Sequence, residues 1–205
     1  LGVFYKFKSR LPVWKNILMG AKVSSHSYPL SRGTGNVVIA CLDALDLSGD
    51  MVYLQNAEDF IKGCVHPFDD VDGRNLLDAE SHWSYTVFLC AIGRYLDKKI
   101  ELGELDRMYA YSRESLLAYA TWMIGNEYTF LKKPEILEYP NETWPAQDMR
   151  KSCVFYYAAK HSSGDMKKAF IEKARFFFES SVNEVQSFAT KDCTRPIALI
   201  LQNGW

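Results

Sequence analysis

The sequence predicts an all-α protein built of antiparallel helical hairpins, and three observations predict it. Apolar residues recur at the helical period from about residue 36 onward. Strand-like alternation is scarce, being confined to Val3-Phe4-Tyr5-Lys6-Phe7-Lys8, which reads equally well as a helix start. The connections alternate between short and long, as they do when helices fold back on one another in pairs.

The elements follow in order. A helix is expected over 13–22. The next runs over about 36–47, with Val37, Cys41, Ala44 and Leu45 on one face, and Ser48-Gly49-Asp50 stops it. Asp50 is placed to cap a second helix that turns Tyr53, Ala57, Phe60, Ile61 and Cys64 inward. A third starts near Glu80 or Ser81 and carries Tyr85, Phe88, Leu89, Ile92, Tyr95 and Leu96. A fourth starts near Glu104, with Leu105, Met108, Tyr109, Ser112, Leu116, Tyr119 and Met123 in register. A fifth opens around Pro145, where a first-turn proline lacks an N–H that would be unpaired anyway. A sixth begins at Asp165, with Met166, Phe170, Ala174, Phe177, Ser181, Val185 and Phe188, and a seventh follows Thr194. These aromatic and methionine stripes are read as core rather than as a cofactor pocket.

Loop lengths set the two ends of the array apart. The links near 48–50, 98–103 and 161–164 are short, whereas 65–79 and 126–144 are long. All long loops then fall at one end. "SSHSYPLSRGTGN" (24–36) joins them there, beside "HPFDDVDGRN" (66–75) and "EYPNETWPAQDMRK" (138–151). Unstructured loops of that length in a compact domain are usually functional or disordered, and their Trp, Tyr and Pro content argues for order.

Composition bounds the function. The 205 residues, 48% of them hydrophobic, suit a single domain with a sizeable core. Twenty-four Lys and Arg against 25 Asp and Glu leave a formal charge of −1, which does not suggest nucleic-acid binding. No apolar run is long enough to span a bilayer. Cys41, Cys64, Cys90, Cys153 and Cys193 lie far apart with no C-x-x-C; they read as free buried thiols in a reducing, cytoplasmic setting rather than as a metal site. "DDVDG" misses the spacing of a calcium loop, and "GTGN" lacks the full glycine pattern of a nucleotide turn, so no cofactor is expected. Asn141-Glu142-Thr143 fits the glycosylation sequon, a short pattern of low specificity.

Acidic and aromatic residues concentrate on the long loops. Aromatic-rich hairpins with "HPFDDVDGRN", "SHWSY" and "EYPNETWPAQD" at one end resemble the (α/α) toroids of the six-hairpin glycosidase type. The resemblance covers residues 24–205 at the level of architecture. It implies a partial or complete ring of hairpins whose loop end acts on carbohydrates. Seven or eight helices are fewer than a six-hairpin ring holds, so an incomplete toroid or a fragment of a larger one is expected, with an exposed edge suited to homodimer formation.

Glycoside hydrolysis uses two carboxyl groups flanking the scissile bond. One side supplies Asp69 and Asp70, with Asp72 nearby; the other supplies Glu138, Glu142 and Asp148. The expected catalytic set is Asp69, Asp70, Glu142 and Asp148. Tyr28, Trp83, Tyr139 and Trp144 offer flat faces to sugar rings, and His26, His66 and His82 offer proton transfer. Arg32, Arg74 and Arg150 offer planar forks to an acidic sugar. The expected substrate-binding set is Tyr28, Arg32, His82, Trp83, Glu138, Trp144 and Arg150. Each residue also has a structural reading: Asp with Gly makes turns, and acidic residues favour helix starts. The alternative function is therefore a non-catalytic helical scaffold whose long-loop end binds a protein or glycan.

Overall fold

The computed structural model describes residues 22–189 and 194–203. The expected strand over 3–8, the helix over 13–22 save its last residue, and Cys193 lie outside the described residues. The described chain is all-α: α1 (Arg32–Ser48), α2 (Val52–Cys64), the single turn α3 (Ala79–His82), α4 (Tyr85–Glu101), α5 (Arg107–Asn126), α6 (Thr143–Lys160), α7 (Gly164–Ser187) and α8 (Thr194–Asn203).

Among the helix boundaries that differ from the sequence reading, two bear on the long-loop end. α1 starts at Arg32 rather than 36, because Ser31 and Thr34 form a reciprocal capping box. Gly33 and Gly35 in that first turn are poor helix formers and hide the start. Gly35 has a packing reason to be there: a Cβ on it would meet backbone atoms of Phe88 at 3.0 Å, so α1 and α4 touch backbone to backbone. The second difference is a break at Trp83 and Ser84, which separates α3 from α4.

α1 packs on α2, α4 on α5 and α6 on α7, each pair joined by a short link. Gly49 and Gly103, at φ of 70° and 73°, make two of those turns in the left-handed region. α1, α4, α6 and α8 also pack side by side in that order. The apolar faces meet in one cluster containing Leu42, Ile61, Phe88, Leu89, Tyr95, Leu116, Tyr119 and Phe155. Phe155 stacks on Phe177 with centroids 5.8 Å apart, fastening α6 to α7.

At the short-link end, Lys99 of α4 is 1% exposed and reaches Glu58 of α2 (3.4 Å), Glu104 (2.7 Å) and Asp106 (2.8 Å). Asp106 also caps α5 by accepting from the Met108 and Tyr109 N–H groups. One ammonium thus ties the middle of α2 to the facing ends of α4 and α5.

Candidate functional site

The opposite end carries the long loops, and buried side chains hold them in place. The segment before α1 pairs with the α2–α3 loop through a parallel bridge between Val23 and Asp69. The Val23 N–H donates to Phe68 O (2.8 Å) and the Asp70 N–H to Val23 O (2.8 Å). The Ser27 and Tyr28 N–H groups both donate to Gly63 O, and the Tyr28 ring covers Gly63. Asp69 is the anchor beneath this layer. Its side chain is fully buried and accepts from Tyr119 (2.6 Å), from the His66 N–H (2.9 Å) and from His26 Nε2 (2.7 Å).

A second buried knot fastens the α5–α6 loop. Lys151 and Asp148, one helical turn apart in α6, both have fully buried side chains and lie 2.8 Å from each other. Lys151 Nζ also lies 2.8 Å from Glu127 and donates to Tyr128 O (2.5 Å). It sits 3.5 Å from the centroid of Phe130, a cation–π contact. Asp148 accepts from the Phe130 N–H (3.0 Å), and Tyr85 donates to Glu127 (2.5 Å). Burial raises the Asp148 carboxyl to about 7 despite the ammonium beside it. Burial and the neighbouring Glu127 push the Tyr85 phenol well above its ordinary value.

α3 stands between two clefts. On one side, Trp83, Trp144 and Tyr139 line a cleft of about 210 Å³ with Glu80, Asn141, Thr143, Gln147 and Arg195. Trp144 is fixed twice: its ring packs on Phe130 (5.0 Å) and its indole N–H donates to Tyr139 O (3.0 Å). Glu80 is held by accepting from the Glu138 N–H (2.6 Å). On the other side lies a cleft of about 380 Å³ that includes His26, Tyr28, Arg74, Ser81, His82 and Ser84.

A third cleft, of about 300 Å³, runs along the layer formed by α1, α4, α6 and α8, with Arg32, Asn36, Cys90, Arg94, Arg150 and Cys153 among its walls. Arg150 lies over the Trp83 ring (5.6 Å) and donates to Gln147 Oε1, joining this cleft to the tryptophan cleft. Burial, then repulsion from Arg195 and Arg32, lowers its guanidinium below the ordinary arginine range.

The expected site residues therefore divide. Trp83, Trp144 and Tyr139 come together in one cleft, and Arg150 touches it through Trp83 and Gln147. Tyr28 and His82 share the second cleft, and Arg32 lines the third. The four expected catalytic carboxylates each have a different setting, and none lines these three clefts. Asp69 and Asp148 are consumed by buried partners. Asp70 is part-exposed and 3.1 Å from Lys22, which also faces Asp72 at 3.6 Å. Glu142 is the residue before α6 and makes no side-chain cap. Glu138 engages the cleft through its backbone. Sequence reasoning missed Glu80, Gln147 and Arg195 as cleft residues, and missed Tyr119 and Glu127 among the partners of the buried groups, whereas Lys151 was a foreseeable partner for a loop carboxylate. The one local signal was Asp148 and Lys151 at helical i, i+3 spacing.

The four described cysteines are free thiols; Cys64 and Cys90 are buried, and burial raises Cys64 to about 11. Among the described residues, no group of three or more His, Cys, Asp or Glu is placed to hold a metal ion. No helix among them is long and apolar enough to cross a membrane. Comparison with known proteins leaves the geometry to speak alone: no protein-family model, no curated protein and no solved structure matches this chain.

Proposed function

We propose that the long-loop end is a carbohydrate-binding surface on a helical-hairpin array of the α/α toroid kind, and that a sugar ring seats between Trp83, Trp144 and Tyr139. The observation that carries the reading is the tryptophan cleft. Its flat faces suit the apolar side of a pyranose, and Glu80, Asn141, Gln147 and Arg195 offer donors and acceptors to hydroxyl groups. The side-by-side order of α1, α4, α6 and α8, with their N-termini gathered around these clefts, supports the toroid arrangement.

Binding is favoured over hydrolysis by two carboxylates. Glu80 is the one carboxylate on the cleft wall among the described residues, whereas hydrolysis calls for a pair. Asp69 and Asp148 are engaged elsewhere, so a hydrolytic reading rests on Glu142, which lies between the cleft residues Asn141 and Thr143.

The test is a tryptophan-fluorescence and thermal-shift titration with neutral and acidic oligosaccharides. One sugar class is expected to saturate the signal and raise the melting temperature. Trp83→Ala and Tyr139→Ala are expected to weaken it about tenfold or more; Tyr139 is 69% exposed, so its replacement leaves the fold intact. No response to any sugar refutes the reading. Turnover of the bound sugar that disappears in Glu142→Gln would move the conclusion to hydrolysis.

A further inference from the structure

We infer that the cleft on the other side of α3 is a separate binding site for a tetrahedral oxyanion of the phosphate kind, free or as a monoester. Every charge-bearing residue on its wall is basic or an imidazole: Arg74, His26 and His82. Hydroxyl groups of Ser81 and Ser84 add to the lining beside Ser31, which caps α1, and no carboxylate among the described residues lines it. The N-termini of α1 and α4, each 17 residues long, open on it at Ser31 and Ser84, adding the positive ends of two helix dipoles.

Two nitrogens on this wall are held in place and lack a hydrogen-bond partner among the described residues. Arg74 is fixed by one arm, Nη2, which donates to Cys64 O (2.7 Å), and by stacking over Tyr119 (5.7 Å). Its other arm, Nη1, is buried with no hydrogen-bond partner among the described residues. His82 Nδ1 is likewise buried without one, Asp78 lying 4.0 Å away, beyond hydrogen-bonding distance. A buried polar nitrogen left unmatched is costly, and two on one wall point to a ligand that matches them. His26 is oriented from behind. Asp69 accepts from Nε2, so Nδ1 carries the ring's lone pair and can accept from a P–OH of the anion. A guanidinium, two imidazoles and serine hydroxyls arriving from three chain segments suit a tetrahedral anion better than a planar carboxylate, which a single guanidinium matches.

The probe is inorganic phosphate, titrated calorimetrically into the whole chain beside acetate and glycerol phosphate. Saturable binding of one phosphate per chain is expected, with acetate at least about tenfold weaker. His82→Gln, on a half-exposed side chain, and Arg74→Gln are each expected to weaken phosphate about tenfold with an unchanged circular dichroism spectrum. Trp144→Ala is expected to leave it unchanged, so this site stands or falls independently of the sugar cleft. Tighter binding of glycerol phosphate than of phosphate assigns the site to a monoester, and the reverse assigns it to the free ion. No saturable phosphate binding, or binding that survives His82→Gln and Arg74→Gln together, overturns the inference.

Discussion

Replacing Lys151 by Met tests the buried knot beneath the tryptophan cleft. Met keeps most of the lysine stem's volume and removes the charge. One ammonium here faces two carboxyl groups, Glu127 (4% exposed) and Asp148 (0%), so one negative charge is matched and the other is driven toward its neutral form. Burial, with a smaller push from Glu127, raises the Asp148 carboxyl to about 7. A carboxyl whose folded-state value lies above its unfolded value of about 3.9 holds its proton longer in the fold. Its contribution to stability is therefore fully present below pH ~4 and is lost as pH climbs toward 7. Without Lys151 the two buried carboxyl groups lose their counter-charge, and the folded protein must hold one more proton. From an unfolded value of about 4.3, at about 1.36 kcal/mol per pH unit, that costs about 4 kcal/mol at pH 7 and about 1 kcal/mol at pH 5. The assay is urea unfolding of wild type and variant at both pH values. The expected result is a destabilisation that shrinks by about 3 kcal/mol on acidification. A loss of equal size at the two pH values, or one that grows in acid, refutes the charge-matching argument.

Other outcomes follow from the same geometry. Gly35→Ala places a methyl 3.0 Å from the Phe88 backbone and is expected to destabilise by about 1–2 kcal/mol in chemical unfolding, against its gain in helix propensity. Gly33→Ala, whose nearest neighbour is Ser31 Oγ at 3.6 Å, is expected to stabilise by about 0.5 kcal/mol in the same assay. Asp69→Ala strands the Tyr119 hydroxyl, the His66 N–H and His26 Nε2, and is expected to cost about 3 kcal/mol; thermal melts would register a fall of about 6–12 °C. Lys99→Met is expected to cost less than Lys151→Met, about 1–2 kcal/mol at neutral pH, because Glu104 and Asp106 are 40% and 52% exposed and water can replace the ammonium. Added salt should narrow the Lys99 difference and leave the Lys151 difference nearly unchanged.

The helices were legible because their apolar stripes repeat locally. Tyr85, Phe88, Leu89, Ile92 and Leu96 announce α4 within a dozen residues, and all are buried. What blurred was governed by contacts from afar. Gly35 reads as a helix breaker until Phe88 is brought against it. The gathering of the long loops with Trp83, Trp144 and Tyr139 was legible from loop lengths and residue type. The fate of the carboxylates was not. Asp69 and Asp70 are neighbours of identical chemistry, yet one is sealed beneath His26 and Tyr119, 43 and 50 residues away, and the other faces Lys22 at the surface. Burial of an acid is decided by partners distant in sequence, and residue type alone overestimates how many acids are free for chemistry. Glu80 went unread because the sequence marked it only as the start of a helix.

The loops at this end owe their shape to acids sunk beneath them: Asp69 under one and Asp148 under the other. Such loops have already surrendered most of their conformational entropy when the chain folds, so an arriving ligand has little left to order. Association should then approach rigid-body docking, with small side-chain adjustments and no slow isomerisation phase in stopped-flow records. The trade is made in the folded protein, which keeps ionisable groups out of water so that its surface is shaped in advance of any encounter.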